Sequence, residues 1–385
     1  MNDRKKSLPK GKPLIECFEG LPDPRMDRTR RHKLVDILVM GLCSVLTGGE
    51  SFTDMEDFCL VRVDWFKTFL ELPGGIPSHD TFNRVFSAID PYAFLECFCR
   101  WVQGICPNLN DEVVAIDGKA LRRAHNDGQS IPYIVNAWAT DNGLVLGQVK
   151  VDEKSNEITA VPELLRMLQL KGAIVTLDAM GCQKEIAADI IEQGADYVLA
   201  LKGNHANVHE EIRTFFEDAV PPCAIQCADT AEKDKMDFHQ TIEKGHGRIE
   251  TRRYWQSTDI DWFQDKGLWK GIKNFGMVES IRKVKGESTI ERRYYLSSLP
   301  LNAKQFGQAV RRHWGVENSL HWSLDMTFRE DDSRARTKNA AQNFATLRRI
   351  ALNLLKKDLS RKKSLRSKRY IASIDQDFLV HLIGI

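Results

Sequence analysis

Long apolar runs are missing from this chain of 385 residues. The best candidate, Leu34 to Leu46, falls short of the roughly 18–20 uncharged residues of a membrane span and carries Asp36. The amino terminus, MNDRKKSLPKGKP, has no apolar stretch behind its charges, so it does not read as a secretory signal, and a cytoplasmic protein is expected. No C-x-x-C occurs among the nine cysteines, since Cys97 and Cys99 lie two apart and Cys223 and Cys227 four apart. Zinc ribbons and redox motifs therefore find little support, and reduced core thiols are expected. H-E-x-x-H, internal repeats and low-complexity segments are also lacking. Nor is one charge in excess: 55 Lys and Arg against 53 Asp and Glu leave +2, so no global field draws the chain to nucleic acid. Any such binding must rest on local patches.

The 42 % hydrophobic and 28 % charged residues give an ordinary globular balance that excludes wholesale disorder, and the length allows two or three domains. Two basic patches stand out. Arg25 to Lys33 reads RMDRTRRHK, and Lys356 to Arg369 holds eight basic residues against the single acid Asp358. Each is open to two readings, a solvated face or a phosphate contact.

Residues 1 to about 33 read as an extended, Pro-containing basic arm. Helical periodicity then runs from Leu34 to Trp101, interrupted at Gly48-Gly49 and Pro73-Gly74-Gly75. Within it, Ser78 suits an N-cap for a helix with Phe82, Val85, Phe86 and Ile89 on one face and His79, Asn83 and Arg84 free to meet a ligand. That segment suits a helix-turn-helix element, although small helical bundles look alike. From Glu112 the period becomes that of strands: Val113 to Asp117, Tyr133 to Thr140 and Leu144 to Val151, the last two joined by Asp141-Asn142-Gly143. Helix Thr159–Leu170, strand Ala173–Met180, helix Lys184–Gln193, strand Asp196–Gly203 and helix Val208–Phe216 follow. Three antiparallel strands and then alternating helix and strand is the order of a ribonuclease-H-like α/β core. A β-rich segment, with strands around Gln240 to Trp255, Gly276 to Lys285 and Arg292 to Ser298, interrupts it. Helices Gln308–Met326 and Asn339–Leu355 precede the basic tail.

Asp117 and Asp178 end or nearly end apolar strands, where a carboxylate is costly unless paired, hydrated or bound to metal. On neighbouring strands about 4.8 Å apart, both would reach the same one or two cations. Otherwise Asp117-Gly118 makes a turn and Asp178 caps a helix. His313, Glu317, His321 and Asp325 recur every fourth residue along one helical stripe, with Trp314 and Trp322 placed to anchor it. That stripe reads as a metal site or as a polar face. Two aspartates and a helix-borne glutamate would make an oxygen-rich site suited to Mg²⁺ and phosphodiester chemistry.

The segments AIDGKALR, VDEKSNEITAVPELL, TLDAMGCQKEIA, LKGNH and RRHWGVENSLHWSLDMTFREDDSRAR, in that order, resemble the H-repeat-associated group of bacterial insertion-sequence transposases, DDE enzymes of the ribonuclease-H-like class. The resemblance implies a triad of Asp117, Asp178 and Glu317 holding Mg²⁺, with Mn²⁺ able to substitute. It also implies DNA cleavage and strand transfer, with element ends and target DNA as partners. A homodimer or higher assembly on DNA and a nucleoid-associated location go with it. Expected domains are a helical DNA-binding region at 1–110, an all-α unit, and a catalytic core at 111–216 and 301–355. A β-rich insertion at 217–300 and a basic tail at 356–385 complete them. Related enzymes carry Y-x₂-R-x₃-E-x₆-K, whereas the corresponding positions here hold Val310, His313, Glu317 and Leu324. Arg311, Arg312 or His313 then takes over phosphate contact, joined by Lys119 and, in the amino-terminal region, by His79, Asn83 and Arg84. A nuclease on the same core and an inactive relic that only binds DNA are the alternatives.

Overall fold

The computed structural model describes residues 14–125, 130–151, 157–220, 235–245, 247–284 and 287–384. Cys223, Cys227 and Pro221-Pro222 lie outside the described residues, as do residues 152–156 near the start of the VDEKSNEITAVPELL segment. Among the described residues no single helix is long and apolar enough to cross a membrane. None of the seven described cysteines is in a disulfide, and all are buried, each filling core space as a small apolar side chain.

The amino-terminal helices are α1 (Leu14–Glu19), α2 (Leu34–Thr47), α3 (Phe52–Val61), α4 (Val63–Phe66), α5 (His79–Ala88) and α6 (Pro91–Ile105). The expected extended arm is thus helical over Leu14–Glu19, because Leu14, Cys17 and Phe18 bury one side of α1. Ser51 and Asp54 form a reciprocal capping box that starts α3. Asp90 caps α6 ahead of a proline in its first turn.

Strands β1 (Val113–Ala120), β2 (Tyr133–Ala139) and β3 (Leu144–Val151) precede α7 (Glu157–Met167), β4 (Ile174–Leu177), α8 (Lys184–Glu192), β5 (Asp196–Leu201) and α9 (Ala206–Ala219). The β-rich segment supplies β6 (Met236–Gly245), β7 (Arg248–Ser257), β8 (Asn274–Val284) and β9 (Glu287–Ser297). All nine strands form one sheet in the order β3-β2-β1-β4-β5-β9-β8-β7-β6. Strand β1 is antiparallel to β2 and parallel to β4, and β5 is parallel to β4. The β-rich segment therefore extends the main sheet, because β9 pairs antiparallel with the free edge of β5. Two long hairpins, β6–β7 and β8–β9, build that extension; the region expected around Gln240 to Trp255 is the first hairpin, and those around Gly276 to Lys285 and Arg292 to Ser298 fall on the two strands of the second.

Beyond the sheet come α10 (Ala303–His313), one π-helical turn at Val316–His321, α11 (Trp322–Met326), α12 (Ala340–Lys357), α13 (Leu365–Ile374) and α14 (Gln376–Ile383). The uninterrupted helix expected over Gln308–Met326 is broken by the π turn. Helix α10 lies against the sheet because two glycines allow close approach. A Cβ on Gly276 would come within 2.3 Å of the Phe306 ring, and one on Gly307 within 2.8 Å of the Tyr254 ring. Helix α12 is buried nearly all round and ties the amino-terminal helices to the sheet: Asn343 donates to Phe86 O and Ile89 O, and Asn353 pairs with Val145.

The basic run is not a loose tail. Lys368 donates to the carbonyls of Leu355 and Asp358, and Arg369 to those of Val45 and Thr327, so their long stems cross apolar surface to reach backbone oxygens. Leu379, Leu382 and Ile383 of α14 are buried. Truncation after Lys357 is therefore expected to destabilise the whole chain by several kcal/mol, at about 2–5 kcal/mol per lost core side chain before relaxation. Urea unfolding checks this, and a truncated chain as stable as the full one would refute it. Exposed Lys362 and Lys363 remain open to solvent, so Gln substitutions there test salt-dependent DNA affinity without disturbing the core.

Candidate active site

Successive side chains of a strand point to opposite faces, so Val113, Ala115, Asp117 and Lys119 share one face of β1 and Val114 and Ile116 the other. The core face of Val114 and Ile116 is apolar. The opposite face carries a polar row across three strands, since Asp117 registers with Asn136 and Asn136 with Gln148. Helix α12 covers this row: Arg349 donates to Asn136 Oδ1 at 2.8 Å, and Gln148 to Thr346 at 2.7 Å. Strand β4 presents Thr176 on the same face, and Asp178 follows where the strand ends.

Asp178 caps the short turn Ala179–Gly181, accepting from Met180 N at 3.0 Å and Gly181 N at 3.4 Å. Both bonds fall on Oδ1, which leaves Oδ2 for the space in front. Asp117, Thr176, Asp178, Lys202, Arg293, Tyr295, His313, Trp314 and Glu317 all line one cavity of about 160 Å³. Glu317 sits in the π turn, exposed at the mouth, while the preceding Val316 and the later Leu320 are buried. The three carboxylates thus reach the cavity from β1, from the end of β4 and from the break in the helix.

The donor set suits a hard divalent cation, being all oxygen. Among the described residues no three His, Cys, Asp or Glu side chains converge closely enough to enclose an ion. An open set of carboxylates is what Mg²⁺ accepts, because it keeps several waters and takes substrate phosphate oxygens as further ligands. Asp117, Asp178 and Glu317 therefore fit such an ion as partial ligands.

Two histidines flank the acids. His313 Nδ1 lies 2.9 Å from Thr176 Oγ1, and burial pushes its imidazole down to about 4. His321 Nδ1 lies 3.7 Å from Asp117 Oδ2, its Nε2 is buried without a hydrogen bond, and burial helped by Lys119 and Arg349 pushes it to about 4. Both are neutral at pH 7. A base whose folded pKa is depressed leaves the unfolded chain holding more protons between about pH 6.5 and 4, so stability falls as pH drops through that window. His321, only 15 % exposed in its side chain, is expected to account for about 2–3 kcal/mol of that loss. His321→Gln should flatten the slope of unfolding free energy between pH 6.5 and 4. An unchanged slope would mean that the folded imidazole titrates normally.

The other expected contacts lie elsewhere. Lys119 is buried, with Nζ 2.7 Å from both Asp325 and Asp331 and 3.8 Å from Glu330. Asp325, on the predicted stripe with Glu317, thus belongs to this cluster and not to the cavity. Arg311 bonds Glu243 of β6, and Arg312 pairs with Asp141 at 3.0 Å. Trp314 lies under the Arg293 guanidinium at 4.7 Å, but Trp322 is 58 % exposed and anchors nothing in the core. On α5, the Ser78 side chain makes no capping bond; Glu56 takes both His79 N, at 2.8 Å, and His79 Nδ1, at 2.6 Å. Asn83 accepts from Ser87, and Arg84 donates to Thr81. These three side chains are not brought to the cavity. Lys202 and Arg293, which do line it, escape a reading of spacing, because β5 and β9 meet only through the sheet.

Residues 108–354 match the Transposase DDE domain family, and residues 15–102 match the family described as DDE_Tnp_1-associated. The chain is 40 % identical over 380 residues to the H repeat-associated putative transposase YhhI of Escherichia coli (strain K12), covering 97 % of this chain and 98 % of that protein. It is 39 % identical over 378 residues to the putative transposase YncI of Escherichia coli O157:H7, covering 96 % and 94 %. Among solved structures, a piggyBac transposase synaptic complex with hairpin DNA aligns at a TM-score of 0.42 with 11 % identity, over 96 % of this chain and 76 % of that one, too slight a likeness to define the fold. With its DDE domain and full-length relatives among the H repeat-associated transposases, the chain belongs to the DDE transposase family.

Proposed function

We propose that this chain is a divalent-metal-dependent DNA transposase of an insertion-sequence-like element, cleaving at the element's ends and joining them to target DNA. Its catalytic core is the ribonuclease-H-like unit of residues 111–216 and 301–355. The strand order β3-β2-β1-β4-β5, with β2 alone antiparallel to both neighbours, supports that reading of the fold. The observation that carries the function is the meeting of Asp117, Asp178 and Glu317, from three separate elements, around one cavity.

In this reading the two aspartates present carboxylate oxygens from fixed strand ends, and Glu317 closes the set from the mouth. Mg²⁺, or Mn²⁺ in its place, supplies when bound a lowered pKa for water and positive charge beside the leaving oxygen. His321 stands beside Asp117, and the backbone N–H groups of Met180 and Gly181 hold Asp178 through Oδ1, which leaves Oδ2 for a cation. Hydrolysis breaks a P–O bond at the element end, and the 3′-hydroxyl so freed attacks a target phosphodiester at the same site. His79, Asn83 and Arg84 on α5 read the element ends, and the active species is a homodimer or higher assembly on the nucleoid.

Labelled DNA carrying the sequences that flank the reading frame, incubated with a plasmid and Mg²⁺, tests this. Labelled ends joined to plasmid are expected. Cleaved but never joined ends would indicate a nuclease on the same core, and binding without cleavage an inactive relic.

A further inference from the structure

The cavity sets three carboxylates around the place where a phosphodiester must lie. Beyond any bound cation, that backbone needs fixed positive charge, and the expected sources do not supply it. Lys119 is closed in by Asp325, Glu330 and Asp331. Arg311 and Arg312 are held by Glu243 and Asp141 and do not line the cavity. His313 does line it, but its Nδ1 is engaged with Thr176, and burial keeps the ring neutral.

Two cations remain on the cavity wall. Val198 and Ala200 of β5 line the cavity, and Lys202 continues the same face one step past the strand. On β9, Arg293 and Tyr295 line it from the adjacent strand. The register pairs Ala200 with Tyr295 and Leu201 with Tyr294, so one further step sets Lys202 opposite Arg293. Like charges facing each other across neighbouring strands repel, which an anion between them relieves. Lys202 has no ion pair among the described residues. Arg293 donates to the exposed Glu291 through Nε at 2.8 Å and stacks over Trp314, leaving a planar, partly dehydrated guanidinium facing the cavity.

The wall does not end there. Arg293, Tyr295, Val310 and Trp314 also line an adjoining groove that holds Arg252, Arg282 and Arg311 along β7, β8 and α10. Glu250 and Glu291 offset part of that charge, and Glu243 pairs with both Arg252 and Arg311, which leaves Arg282 and Arg293 as the groove's stronger cations. Aromatic rings interleaved with arginines suit a nucleic-acid strand, whose phosphates take the cations and whose bases take the rings.

We infer that Lys202 and Arg293 form the phosphate clamp of the active site, seating the DNA strand that runs from the carboxylates into the groove beside Trp314. This assignment rests on the transposase reading, and it moves the phosphate contact from the glutamate helix, where the sequence placed it, to the β5–β9 junction. Each phosphate neutralised by a side chain adds about 0.9 to the slope of log K against log salt on duplex DNA.

The test is equilibrium binding of the full chain to a labelled duplex carrying the DNA that flanks the reading frame, measured in Ca²⁺ at several salt concentrations. Lys202→Gln and Arg293→Gln are each expected to lower the slope by about 0.9, and Arg293→Lys to restore most of it. Lys202 is exposed on a loop, so its variant reports even if Arg293→Gln folds poorly. Wild-type binding with both Gln variants unchanged, and a slope lowered instead by Arg311→Gln or Arg312→Gln, would overturn the clamp while leaving the transposase reading intact. Failure of the wild-type chain to bind would overturn both.

Discussion

Glu317→Gln is expected to leave the fold and DNA affinity near wild type and to reduce Mg²⁺-dependent cleavage by about a thousand-fold or more. The side chain is exposed at the cavity mouth, so its loss should change stability by no more than about 0.5 kcal/mol. The catalytic effect is large because a carboxylate-held divalent ion contributes several kcal/mol at the transition state, at tenfold in rate per 1.4 kcal/mol or so. Asp325→Asn is the contrasting variant. Asp325 stands two helical turns on, with its carboxylate against Lys119, which keeps Asp331 at 2.7 Å when Asp325 is neutralised. Cleavage by that variant should fall by no more than about tenfold, the low end of what outer partners of a ligand cost. The measurement is cleavage rate on labelled element ends, with circular dichroism melting as the check on folding. An active Glu317→Gln beside a dead Asp325→Asn would overturn the triad.

The order of strands along the chain and the strand-end positions of Asp117 and Asp178 are legible in the sequence because both are local. Val113 to Ile116 and Ile174 to Leu177 are short apolar runs buried on two faces, and each is followed at once by a carboxylate. What the sequence hides is whatever depends on tertiary contact. A spacing of four from His313 to Asp325 reads as one helical stripe, and only tertiary contact shows what each member meets: His313 Thr176, Glu317 the cavity, His321 Asp117, and Asp325, two turns past Glu317, Lys119. The basic run hides its own packing, since Lys368 and Arg369 have composition of a solvated tail but spend their donors on backbone carbonyls. Lys202 and Arg293 are 91 residues apart and become neighbours only through the antiparallel join of β5 and β9.

Glu330→Gln is expected to destabilise the chain by about 3 kcal/mol at pH 7, and the deficit should shrink in acid. Glu330 is buried, with Oε1 2.5 Å from Arg349 Nη1 and Oε2 3.8 Å from Lys119 Nζ. Burial alone would push its carboxyl up, but Arg349 and Lys119 outweigh it and hold it down at about 2. Removing one partner of such a pair leaves the other charge buried and uncompensated, which costs about 3–5 kcal/mol. Lys119 retains Asp325 and Asp331, and Arg349 retains Asn136, so the lower end applies. The pH dependence follows from the direction of the shift. A carboxyl whose folded pKa is depressed contributes stability that is complete above its unfolded value, near 4.5, and is lost as pH falls toward about 2. The difference in unfolding free energy between wild type and variant should therefore be about 3 kcal/mol at pH 7, about 1 kcal/mol at pH 3, and close to zero at pH 2. Urea titrations at those pH values give it directly. A difference that stays constant with pH would show that the charge on Glu330 does not stabilise the fold. Lys119 stands two residues after Asp117 on the same face of β1, and Asn136 registers opposite Asp117. The network that Glu330 completes thus borders Asp117, the first aspartate of the proposed triad, so loss of cleavage should accompany loss of stability in this variant, where in Glu317→Gln the two separate.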